Sequence, residues 1–203
     1  REIGSPAEGV CWVHVGDRGE DIFGVYDEAQ RQGVAWLIRL SKDRRVRTPE
    51  GSDLLFSYAR RLPRVAGRHV TVRRKGGKGP EEVHLSLAAG RITLLPPRFE
   101  PAYRDCAPLP CWVVRAWEEN PPAGVEPLEW LLCTSLPCGT TQEVLFVAGG
   151  YSFRWMIEEF HKCEKTGCQV EMRRLEHVDR LEPLIGLLSV LAVWLLQLKF
   201  AAR

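Results

Sequence analysis

The apolar residues at the start of the chain follow the order strand, helix, strand. The run GVCWVHVGD, residues 9–17, stays apolar until Gly16-Asp17, which predicts a buried strand. Residues 19–33 have the apolar spacing of a helix, and Gly33 is placed to end it. The run VAWLIRL, residues 34–40, predicts a second buried strand. Together they predict a βαβ unit and an α/β fold class.

From about residue 68 the pattern becomes that of an all-β block. Residues 69–87 predict two strands around a glycine-rich turn, and clusters of Pro and Gly separate the strands that follow. The further strand candidates are RITLLPP (91–97), CWVVRAW (111–117) and LEWLLCTS (128–135). Helical patterns return over 142–165 and 180–200.

The stretch YSFRWMIEEFHKCEKTG, residues 151–167, predicts one amphipathic helix. At about 100° per residue, its polar line falls within an arc of roughly 60°. Phe153, Met156, Ile157, Phe160 and Cys163 form the opposite stripe, which is predicted to face the core. The polar line consists of Tyr151, Arg154, Glu158 and Lys165. By geometry alone this is a solvated face with an i,i+4 ion pair from Arg154 to Glu158.

The most apolar stretch of the chain is LIGLLSVLAVWLL, residues 184–196. It is shorter than the roughly 20 residues that span a bilayer. We therefore expect a buried core helix and no membrane span.

Charge is distributed unevenly in this chain of 203 residues, whose net charge is only +2. Residues 39–78 contain 13 Lys or Arg and 3 Asp or Glu, a net of +10, against −8 for the rest. Such a block indicates a surface for a polyanion, or a disordered linker. Interspersed Leu55 and Tyr58 favour a folded surface, because they can be buried.

The seven cysteines include three pairs with C-x-x-x-x-C spacing, which is wider than the usual zinc knuckle. Their odd number is typical of reduced thiols in the cytoplasm. Two carboxylates suggest a different metal. Asp17 follows a strand end and Glu158 lies on a helix, and a pair of carboxylates can hold Mg²⁺. Asp17 alone is equally a helix cap or turn residue.

These motifs resemble bacterial insertion-sequence transposases that have an RNase H-like DDE catalytic domain. The polar line of 151–165 meets the family's YREK signature, Y-x-x-R-x-x-x-E-x-x-x-x-x-x-K. VGDRGEDIF (15–23) and NPPAGVEPLEWLLCTS (120–135) are similar to two further family segments. The resemblance covers about 9–200, with the motifs in the family's order.

The resemblance implies a partial RNase H-like core that lacks the first strands and carries an all-β insertion. It divides the chain into a core segment (1–67), the inserted β-domain (68–140) and the glutamate helix with a C-terminal core helix (141–203). Asp17 would be the second catalytic aspartate and Glu158 the catalytic glutamate. Both would bind Mg²⁺, with Mn²⁺ as a substitute, for cleavage and strand transfer through a DNA hairpin.

The resemblance also implies which residues contact DNA. Tyr151, Arg154 and Lys165 would hold a phosphate near the transposon end, and Trp130 would stack on a flipped base unless it is a core residue. Arg39 would contact DNA, and the hairpin tip would face phosphates unless it is merely solvated; the tip cations are Arg68, Arg73, Arg74, Lys75 and Lys78. The partners would be transposon ends, target DNA and a second copy in a homodimer, in the bacterial cytoplasm.

The sequence departs from the family in one respect, since no Asp precedes Asp17, where the family's first catalytic aspartate would stand. Asp21, one turn away, is a candidate for supporting the metal ligands, although a role as a helix N-cap or first-turn residue is the better interpretation. We therefore expect this chain alone to be inactive, as a fragment, a decayed copy or a separately cut domain. A non-catalytic DNA-binding remnant and an RNase H-like nuclease without strand transfer are the alternatives.

Overall fold

The computed structural model describes residues 7–73, 79–169 and 177–201. The chain forms two compact units, Arg1–Ser152 and Phe153–Arg203. The three-part division implied by the family resemblance remains a prediction.

The first unit is built on one mixed, mostly antiparallel sheet of eight strands. The strand order is β1-β2-β8-β7-β6-β3-β4, and β5 pairs with β6. Among the described pairings only that of β1 with β2 is parallel. The strands are β1 Val13–Gly16, β2 Ala35–Arg39, β3 Arg45–Thr48, β4 Gly51–Leu54, β5 Ala66–Arg73, β6 Pro80–Leu94, β7 Leu109–Glu118 and β8 Glu129–Thr134.

The predicted βαβ unit is confirmed. Helix α1, Phe23–Arg31, joins β1 to β2, and Val13 lies opposite Ala35 in parallel register. The helix ends where predicted, because Gly33 adopts a φ of +67°, a conformation that favours glycine.

The full burial predicted for the first strand is wrong. Among the residues that the structure describes, strand β1 lies at the edge of the sheet and pairs only with β2, and its His14 is exposed.

Helices cover both faces of this sheet. Helices α1 and α2 (Leu55–Arg61) share one apolar cluster with alternate strand residues such as Trp36 and Ile38. Helix α3, Thr141–Ser152, packs on the other face with Leu37. The basic block is therefore folded over residues 39–73, since it contributes strands and buries Leu55 and Tyr58 in α2.

The second unit contains α4 (Trp155–Lys162), a π-helical turn (Cys163–Gly167) and α5 (Val178–Ala201). Side-chain bonds join α5 to the elements before it. The Lys199 ammonium lies 2.5 Å from the Glu159 carboxylate, and the Ser189 hydroxyl lies 2.7 Å from the Glu164 carboxylate. The contacts indicate an antiparallel arrangement of α5 against α4 and the π-helical turn.

The single helix predicted over 151–167 is wrong. Helix α3 ends at Ser152, whose hydroxyl donates to the Gly149 carbonyl, and a turn at Phe153-Arg154 precedes α4. A side chain that bonds to its own helix backbone competes with helix continuation. The predicted core-facing stripe also fails, because Phe153 and Ile157 are 63% and 50% exposed.

The burial predicted for the apolar run 184–196 is wrong as well. Helix α5 has 24 residues. Within its stretch Asp179–Lys199, an 18-residue window has a mean hydropathy of 1.9, and only 17% of that window is buried. By length and composition alone α5 could cross a membrane. Its apolar side chains point in every direction around the helix, so one helical neighbour cannot cover them. The large exposed ones are Ile185, Leu187, Val190, Leu191, Val193, Trp194, Leu195 and Leu198.

Candidate nucleic-acid interface

Three of the predicted DNA-contacting or catalytic residues of the first unit meet at one end of the sheet. Gly16 lies opposite Ile38 in the parallel pair, so Asp17 and Arg39 occur at the carboxyl ends of neighbouring strands. Arg39 lies opposite Leu132 of the antiparallel β8, which brings Trp130 to the same end. In open α/β sheets this end is where ligands bind.

Trp130 makes an aromatic pair with Tyr151 at the end of α3. Their ring centroids are 5.3 Å apart and the planes meet at 64°, an edge-to-face arrangement. Tyr151 is 5% exposed and belongs to the second apolar cluster, whereas Trp130 is half-buried at its margin. The burial of Tyr151 favours a packing role for its ring. Because Trp130 is only half-buried, part of its ring remains accessible to a ligand.

Arg39 is held beside this pair by the main chain of β8. Its guanidinium donates a hydrogen bond to the Glu129 carbonyl at 3.0 Å. The Glu129 carboxylate in turn accepts hydrogen bonds from Arg60 at 2.6 Å and Arg115 at 2.9 Å. These contacts fix the strand segment that carries Trp130. Sequence patterns could not reveal them, because the partners are far apart along the chain.

The Glu129 ion pairs predict an acid-sensitive contribution to stability. The hydrogen bond from Arg60, reinforced by Arg115, lowers the pKa of Glu129 from its usual 4.5. The contribution is therefore present above about pH 4.5 and is lost as the pH falls through the lower folded-state pKa. We expect Glu129→Gln to cost about 1 kcal/mol of unfolding free energy at neutral pH, since the pair is partly solvated.

The difference in unfolding free energy between wild-type protein and Glu129→Gln should disappear as the pH is lowered. Urea denaturation at several pH values measures this difference. Glu100→Gln, which changes an exposed carboxylate, is the control. A cost for Glu129→Gln that stays constant down to acid pH would contradict the role assigned to its charge.

Asp17 occupies the position predicted for a strand-end carboxylate, and it also caps a helical turn. It is exposed, and its Oδ1 accepts a hydrogen bond at 2.7 Å from the N–H of Gly19 in the 3-10 turn Arg18–Glu20. The cap interpretation is thus confirmed, and a metal-binding role for Asp17 remains a prediction.

Asp21 is a structural carboxylate at the centre of a buried network. It is 1% exposed and accepts hydrogen bonds from the Tyr26 hydroxyl (2.7 Å) and the N–H groups of Ser41 (2.7 Å) and Lys42 (2.9 Å). Arg44 forms an ion pair with it. The prediction of an N-cap or first-turn role is wrong, because Ile22 is the N-cap of α1 and the helix begins at Phe23. These bonds join α1 to the loop after β2, which leaves Asp21 poorly placed to support a metal ligand.

The remaining residues of the YREK signature lie in the second unit. Arg154 and Glu158 form the i,i+4 ion pair that helix geometry predicts, at 2.5 Å, and the Glu158 side chain is 64% exposed. Lys165 lies in the π-helical turn, so the helical-wheel angle predicted for it does not apply. The family roles of these three side chains remain predictions.

The magnesium centre implied by the resemblance remains a prediction. In residues 7–73, 79–169 and 177–201 no three His, Cys, Asp or Glu side chains are grouped so that they could hold a metal. Asp17 and Glu158 belong to different units. None of the seven cysteines forms a disulfide, although the sulfurs of Cys111 and Cys133 lie 3.6 Å apart.

No protein-family model matches this chain. The resemblance to insertion-sequence transposases therefore rests on the sequence motifs and remains a prediction.

The hairpin tip is described only in part. Arg68, predicted to face phosphates, instead donates to the Leu145 carbonyl of α3 at 3.1 Å, which fastens β5 to that helix. Arg74, Lys75 and Lys78 lie outside the described residues, as does the side chain of Arg73.

Proposed function

We propose that the chain is the later part of the catalytic core of an insertion-sequence DDE transposase, and that it binds DNA at the sheet end formed by Asp17, Arg39 and Trp130. The observation that carries the proposal is the Trp130–Tyr151 pair beside Arg39. A partly accessible aromatic ring next to a fixed guanidinium suits an unpaired base and its phosphate.

The wider proposal includes an RNase H-like core, with which the parallel β1-α1-β2 unit is compatible. It also includes a homodimer acting on transposon ends and target DNA in the bacterial cytoplasm. Mg²⁺, or Mn²⁺ in its place, would supply the cleavage and strand-transfer chemistry of the intact transposase. The function proposed for this chain by itself is DNA binding.

Binding to a hairpin-ended DNA duplex tests the proposal. We expect Trp130→Ala to weaken binding of the 203-residue chain to this probe roughly 5- to 150-fold, as the loss of one stacked base would. The same substitution should weaken binding to a blunt duplex of the same sequence much less, because that duplex presents no unpaired base. Fluorescence anisotropy with the two labelled probes gives both values.

Matched variants separate binding from folding. Trp117→Ala removes another half-buried Trp of the same sheet, one that packs against Arg115. Arg39→Ala should reduce affinity for both probes, whereas Arg31→Ala, at an exposed site on α1, should not. Equal hairpin affinities of Trp130→Ala and Trp117→Ala, at equal thermal stability, would refute the stacking role.

A further inference from the structure

A second candidate site lies on the sheet face that α3 covers, between β3, β6 and β7. It is a cavity of about 380 Å³. Arg47, Arg91 and Trp112 line it, with the hydroxyls of Thr93 and Ser135. The register explains how they meet, because Arg47 lies opposite Thr93 and Arg91 lies opposite Trp112.

The cavity is cationic. Both arginines are exposed, and no Asp or Glu is part of the lining. In the part of the chain that the structure describes, neither Arg47 nor Arg91 forms an ion pair. By contrast, Arg44, Arg60 and Arg61 of the basic block are each paired with a carboxylate. Arg47 and Arg91 are therefore available to an anion.

The cavity also presents a flat surface for stacking. The Arg91 guanidinium lies 5.0 Å from the centroid of the Trp112 ring. Trp112 is half-buried and packs against the second apolar cluster, so it forms a fixed support. A guanidinium held in this way has an outer face on which a nucleobase can stack.

We propose that this cavity binds one nucleotide of a single-stranded DNA segment, with its base on Arg91 and its phosphate on Arg47. The volume lies in the range of about 300–1,000 Å³ that is usual for small-ligand sites. A nucleotide suits this site better than a simple anion does, because its phosphate can bind a guanidinium and its base can stack on the Arg91–Trp112 pair. The inference rests on the proposed DNA-binding function, and it adds a single-strand site away from the Trp130 end.

Short oligothymidylate is the probe for this site, with an abasic oligonucleotide of equal length as the phosphate-only control. We expect Arg91→Lys, which keeps the charge but removes the stacking plane, to weaken oligothymidylate binding roughly 5- to 100-fold. Its affinity for the abasic probe should stay near that of the wild type. Arg47→Gln should weaken binding to both probes, because it removes a phosphate contact.

Arg31→Gln, an exposed change on α1, is the matched control for lost charge. If wild-type protein binds the abasic probe as tightly as oligothymidylate, or if polyglutamate displaces oligothymidylate as readily as DNA does, the site is a general anion site and the proposal fails. Unchanged oligothymidylate affinity in Arg91→Lys and Arg47→Gln would overturn it as well.

The hairpin-ended duplex keeps this test distinct from that of the proposed function. Loss of oligothymidylate binding in Arg91→Lys, with hairpin binding still sensitive to Trp130→Ala, supports both sites. Hairpin binding that is insensitive to Trp130→Ala refutes the first site alone.

Discussion

Asp21→Asn is expected to lower the free energy of unfolding of the first unit by about 3–5 kcal/mol, the usual cost of removing one partner of a buried ion pair. The carboxylate is 1% exposed and holds four groups together: a hydroxyl, two backbone N–H groups and the Arg44 guanidinium. An amide of the same shape would turn an NH₂ group towards donors. It would also leave Arg44, whose side chain is 20% exposed, without its counter-ion.

The network links elements that are separate in the chain. Tyr26 lies on α1, and Ser41 and Lys42 follow β2, so Asp21 ties the start of the helix to the end of the second strand. Burial, together with Asp21 and Cys133, raises the pKa of the Tyr26 hydroxyl far above its usual range. The hydroxyl thus remains a donor at any ordinary pH.

Urea denaturation of Asp21→Asn and wild-type protein measures the cost. Asp53→Asn is the control, because Asp53 pairs with Arg61 at the surface and its loss should have a small effect. A double-mutant cycle with Arg44→Met would isolate the pairwise part. If Asp21→Asn and Asp53→Asn lower stability equally, the buried network does not stabilise the fold as we infer.

The periodicity of apolar residues was sufficient to predict the elements that are determined by residues close to one another in the sequence. The βαβ unit and the end of α1 at Gly33 follow from apolar spacing and from the φ that glycine tolerates. The end of α3 at Ser152 could not be predicted, because a side-chain bond to Gly149 competes with a continuous helical pattern. The exposure of α5 depends on how many neighbours it has, and its own sequence does not specify this.

The candidate interface was predictable in its members but not in its arrangement. Trp130 and Arg39 were identified by resemblance, yet only the antiparallel pairing of β8 with β2 places them at one sheet end. Asp21 was misjudged because Ser41, Lys42 and Arg44 lie 20 or more residues away, where spacing carries no signal. Arg91 and Trp112 were missed for the same reason, since their contact depends on the β6–β7 register.

The 203-residue chain is expected to bind DNA without cutting it. Binding requires only cations and a stacking surface, and the sheet end with Arg39 and Trp130 provides both. Its affinity should fall as the salt concentration rises, because phosphate contacts release counter-ions. Anisotropy measured over a salt series would show this, and a salt-independent affinity would contradict phosphate binding.

Cutting by two metal ions requires carboxylates held in fixed positions. Asp17 caps a 3-10 turn, and Glu158 is paired with Arg154. The carboxylate oxygens of Asp21 already accept hydrogen bonds within a buried network. A supercoiled plasmid, incubated with the chain in Mg²⁺ and then in Mn²⁺, detects a single nick per molecule. We expect no more nicking than in buffer. Metal-dependent nicking that disappears in both Asp17→Asn and Glu158→Gln would show that these two carboxylates complete a site within this chain, and the need for a further aspartate would be disproved.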